Sequence, residues 1–86
     1  MKNLTVGAII TKNKDKLYNL IDKNDLQGAT NLLETYLNAA IDTGKIDATS
    51  CMLCLSQLNK VIKKPSAWAG TFFTWQVGGK YKVGRY

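Results

Sequence analysis

Over residues 26–41 the apolar side chains return at three- and four-residue intervals: Leu26, Ala29, Leu33, Tyr36, Leu37, Ala40 and Ile41. That spacing lines one side of an α-helix and fits no strand, whose faces alternate at every second residue. A chain holding such a helix must cover the stripe with other elements, because an isolated helix of this length is marginal in water. Asn24 or Asp25 can cap the first turn, and Gly44 after Thr43 is suited to end the last. A helix is therefore expected over about residues 25–43, with Glu34 and Asp42 on its outer face.

Two further helices flank it. Asn13 or Thr11 can cap one over about residues 13–23, which carries Leu17, Leu20 and Ile21 and ends at Lys23-Asn24. Asp47 or Thr49 can cap another over about residues 48–64, where Ala48, Cys51, Leu55, Leu58 and Ile62 share a stripe. Lys60, Lys63 and Lys64 complement the dipole of its last turn, and Pro65 is expected to stop it. Leu53, Cys54 and Val61 broaden its apolar face, which suggests a central helix or a homodimer contact.

The two ends of the chain read as strands. Leu4, Val6, Ala8 and Ile10 alternate with Thr5, Gly7 and Ile9, the period of a short strand. Residues 71–77 and 80–86 are rich in aromatic and β-branched side chains and flank Gly78-Gly79, a hairpin signal over about residues 71–86. A two-residue turn would set Trp75 against Lys82. A three-residue turn gathers Phe73, Trp75, Val77, Tyr81 and Val83 on one face and leaves Phe72, Thr74, Gln76, Lys82 and Tyr86 on the other, which is the preferred register. The expected fold class is α+β in one small domain: three helices followed by a C-terminal β-hairpin, with the N-terminal segment as a third antiparallel strand.

Charge divides the chain unevenly. Residues 1–59 are neutral, six lysines against six carboxylates, whereas residues 60–86 supply the whole net charge of +6 and contain no acid. Those last 27 residues also hold six of the eight aromatic side chains, so cations and rings are interleaved. Such a segment can grip a polyanion by charge and stack on its bases. The candidate contact residues are Lys60, Lys63, Lys64, Trp68, Phe72, Lys80, Lys82, Arg85 and Tyr86. Eleven lysines to one arginine disfavours base-specific duplex readout, which relies on the planar guanidinium fork. Seven asparagines beside those lysines match A/T-rich coding, pointing to a low-G+C bacterium or one of its mobile elements.

Several function classes are disfavoured by what the residues are. With no histidine, acid–base catalysis would fall to scattered carboxylates that look like helix caps, so an enzyme is not expected. Cys51 and Cys54 have the C-x2-C spacing of zinc and redox motifs, yet they lie in an apolar helical run without a second pair or a histidine. They read as small buried hydrophobes, and no metal or cofactor is expected. Gly78-Gly79-Lys80 lacks the phosphate-loop pattern. The apolar run near the N-terminus is short for a signal peptide, and no stretch nears the roughly 20 apolar residues of a membrane span. A cytoplasmic, non-enzymatic binding protein without membrane contact is expected, its partner a single-stranded nucleic acid or a nucleic-acid-containing complex. The alternative is a small phage-encoded inhibitor or adaptor that blocks a host protein through a protein–protein interface.

Overall fold

A computed structural model describes residues 4–77, which form five helices: α1 (Val6–Lys12), α2 (Lys14–Asp22), α3 (Leu26–Asp42), α4 (Ala48–Lys60) and α5 (Pro65–Val77). No strand occurs among the described residues, so the expected α+β fold is corrected to an all-helical one.

The long stripe of α3 buries Leu26, Ala29, Thr30, Leu33 and Leu37. Burial of each leucine contributes about 1.5–3 kcal/mol, which makes this helix the spine of the core. α2 lies against it through Leu17, and the joint between the two is tight. Asn24 takes a positive φ of 62°, and the amides of Asn24 and Asp25 bond back to Ile21 O and Leu20 O at 2.8 and 2.9 Å. These bonds close the end of α2. Asp25 then turns its carboxylate onto the Gly28 amide at 3.0 Å and caps α3. α3 ends in the same way: Gly44, at φ 72°, and Lys45 donate to Ile41 O and Ala40 O. Asp47 accepts from the Ser50 amide and starts α4.

The first expected strand is α1. Its buried residues, Val6, Gly7, Ile9 and Ile10, follow helical spacing, and the Thr5 hydroxyl caps the Ala8 amide at 3.1 Å. Strand alternation would have put Ile9 and Ile10 on opposite faces, whereas a helix buries both.

The second correction is at the other end, where residues 71–77, expected as the first strand of the hairpin, are the second half of α5. Pro65 begins this helix instead of merely ending the one before it, since its fixed φ and missing N–H suit a first helical position. α4 accordingly stops at Lys60, and residues 61–64 form a turn. Helical spacing sets Trp68 and Phe72 on the same face, where both are buried. Their rings stack at 5.0 Å and 12°, and Tyr18 meets Phe72 edge-on at 5.7 Å. Trp68 Nε1 donates to Thr30 Oγ1 at 3.0 Å, and that hydroxyl donates to Leu26 O at 2.8 Å, so the buried polar atoms are paired. Trp75, half-buried, donates from Nε1 to Gln57 Oε1 at 2.8 Å, and Tyr18 Oη donates to Gln76 Oε1. β-Propensity measures fit to a half-buried pleated surface, and no strand among the described residues offers one. The rest of the expected hairpin, including Tyr81 and Val83, lies outside the described residues.

α1 and α5 close the bundle. Gly7 sits so near the end of α5 that a Cβ there would lie 2.5 Å from Gln76 O and 2.8 Å from Trp75 O.

Candidate anion-binding surfaces

Lys60, the last residue of α4, and Lys63 and Lys64 of the turn that follows it are exposed to solvent. The turn holds its shape through backbone bonds, Val61 N to Leu58 O at 3.2 Å and Lys64 N to Val61 O at 2.9 Å, while half-buried Val61 and Ile62 pack against the core. Lys64 O accepts the Trp68 amide at 2.8 Å, which joins the turn directly to α5. Two ammonium groups therefore stand on a short, anchored loop, with a third on the last residue of α4 just before it. A depression beside it is lined by Lys63, Pro65, Ile62 and the α2–α3 joint, Asp25 included, so one carboxylate shares the neighbourhood of Lys63.

Two expected contact residues are corrected. Trp68 and Phe72, expected to stack on a partner, are 0 % and 1 % exposed and belong to the core. Neither can stack on a partner's base in this conformation. Lys80, Lys82, Arg85 and Tyr86 lie outside the described residues. The chain reaches them from Val77, beside Thr5, Thr11 and Lys12. From Pro65 to Val77 the α5 axis runs about 18 Å. Lys60, Lys63 and Lys64 are thus near the Pro65 end of α5, and the chain continues toward Lys80, Lys82 and Arg85 from its Val77 end.

The thiols occupy the interior. Cys51 and Cys54 are free and buried in α4. Burial raises both, and the neighbouring Asp47 and Cys51 charges add to the effect on Cys51 and Cys54 respectively; Cys54 is pushed up to about 12. Both are therefore protonated at neutral pH and poor nucleophiles. Because the folded pKa of Cys54 lies above the unfolded value near 9, the folded form binds the extra proton between these pH values. Its contribution to stability is complete below about pH 9 and is lost as pH rises toward 12. Thermal melts from pH 8 to 11 should show a fall in midpoint that is shallower in Cys54→Ala; parallel curves for the two proteins would refute that assignment. Among the described residues no cluster of three or more His, Cys, Asp or Glu side chains could hold a metal.

Sequence inspection did not single out Lys12 and Lys45, which share a groove between α1 and the C-terminal end of α3. They are 33 positions apart, and no local pattern joins them. No described helix is long and apolar enough to cross a membrane. Comparison with protein-family models, curated proteins and solved structures finds no match.

Proposed function

We propose that this chain is a small non-enzymatic binding protein that engages a polyanion by charge, through Lys80, Lys82 and Arg85 together with Lys60, Lys63 and Lys64. The observation that supports it most is a separation of roles within residues 60–77. The rings of Trp68 and Phe72 are absorbed by the core, whereas the three lysines stay exposed. With stacking by those two rings removed, charge carries the recognition. The class of partner is a single-stranded nucleic acid or a complex containing one, bound without regard to sequence because lysine supplies nearly all the cations. A cytoplasmic location is part of the same reading, in keeping with two cysteines left as free thiols.

The test is fluorescence anisotropy with a labelled single-stranded oligonucleotide between about 50 and 200 mM salt. Affinity should fall steeply over that range. Changing Lys80, Lys82 and Arg85 together to Gln should flatten the log–log salt slope by about 2, three charges at roughly 0.7 each. An intact fold with the original slope and affinity would defeat the proposal.

One observation favours a protein partner instead. Met52 and Leu53 stand side by side on α4 at 68 % and 51 % exposure. Large apolar side chains left together on a surface suit a protein interface, with a second copy or another chain. Binding through them would respond weakly to salt.

A further inference from the structure

The groove at Lys12 and Lys45 has the composition of a ligand site. α1 has seven residues and α3 seventeen, so α1 covers only part of the helix it crosses. Where α1 ends, small side chains such as Ala8 and Ala40 leave a half-open groove of about 340 Å³. Leu4, Ile9 and Tyr36 supply most of the remaining apolar wall. That volume is at the small end of the roughly 300–1,000 Å³ typical of small-molecule pockets.

The charged groups in the lining favour an anion. Among the described residues Lys12 and Lys45 are the charged members, and no carboxylate lines the groove. Thr43 commits its hydroxyl proton to Ala40 O at 2.8 Å, and Asn13 donates from Nδ2 to Ile9 O at 3.0 Å. The ammonium groups are thus the charged donors left for a ligand, beside the Tyr36 hydroxyl. Lys45 is also well anchored, because its amide donates to Ala40 O at 3.2 Å and its carbonyl accepts from the Leu4 amide at 3.0 Å. Holding the backbone of a binding residue in advance lowers the ordering cost of binding.

We propose that this groove binds a small amphipathic monoanion, a carboxylate or sulfonate on a short aliphatic or aromatic body. The apolar wall takes the body and the two lysines take the charge. A nucleic acid backbone fits poorly, because it would bring no apolar group to the wall. The groove uses none of the cationic residues named in the polyanion proposal.

Octanoate and octan-1-ol are the probes, followed by amide chemical shifts of the isotope-labelled full chain. Octanoate should give saturable shifts centred on Ala8, Lys12, Ala40 and Lys45, with octan-1-ol binding about tenfold more weakly for want of the charge-assisted bonds. Changing both Lys12 and Lys45 to Gln should weaken octanoate about tenfold and leave octan-1-ol unchanged. Both lysines are exposed, so the double variant should fold. The proposal is overturned by any of three results: shifts centred elsewhere or absent, equal affinity for acid and alcohol, or an octanoate affinity that the double variant leaves intact.

Discussion

Trp68→Ala is expected to be the most damaging single substitution among the described residues, costing about 3–5 kcal/mol of folding stability. The indole is fully buried, stacks on Phe72 and holds the buried hydroxyl of Thr30. Its loss would open a cavity where α3 meets α5. A chain of this length has a stability of roughly 4–13 kcal/mol, so the variant should lie near the edge of folding. Trp68→Phe separates the two contributions: it keeps an aromatic ring beside Phe72 and removes the bond to Thr30, so it should cost clearly less than the alanine. Urea unfolding followed by circular dichroism measures both. A loss below about 1 kcal/mol for the alanine would mean that α5 does not dock through Trp68.

Two glycine-to-alanine changes should move stability in opposite directions. Alanine normally gains about 0.5–1 kcal/mol over glycine inside a helix. At Gly70 the added methyl would meet nothing within 4 Å, so this gain should appear in full. At Gly7 the same methyl would press on Gln76 O and Trp75 O, backbone atoms of α5 that cannot swing aside. Separating α1 from α5 should then cost about 1–3 kcal/mol, as overpacking of a filled interior does. Each kcal/mol corresponds to roughly 4–8 °C of melting temperature in a domain this small. Similar melting temperatures for the two variants would refute the close crossing of α1 and α5.

Capping chemistry and the 3.6-residue period located the middle of the molecule well. The stripes of α2 and α3 and the caps at Asp25, Gly44 and Asp47 lie within a residue or two of expectation, because each depends on neighbours along the chain. At the ends, local signals competed. Alternation over Leu4, Val6, Ala8 and Ile10 is compatible with a strand, but Ile9 breaks it and fits only the helix that buries it. The Thr-Phe-Phe-Thr-Trp run satisfies strand propensity, yet Trp68, Phe72 and Trp75 are also four and three apart, and Pro65 is suited to open a helix. A period of two puts Phe72 on the outer face, and a connector before the strand leaves Trp68 outside the core, whereas the helical period buries both. The exposed lysines at 60, 63 and 64 were legible because charge resists burial whatever the local structure. The groove at Lys12 and Lys45 was not, since it exists only once α1 lies across α3.

The joint at Asn24 and Asp25 bears on how the chain reaches this fold. One short segment closes α2 and caps α3, so those helices can pair after closing only a very small loop. Such a local hairpin of helices is expected to form early and fast. The contact of Gly7 with the carbonyls of Trp75 and Gln76 joins positions nearly 70 residues apart, and its entropy of closure must be met by structure already in place. Folding should therefore proceed from the centre of the sequence outward, with the meeting of α1 and α5 as its last step and, in reverse, the first contact to open.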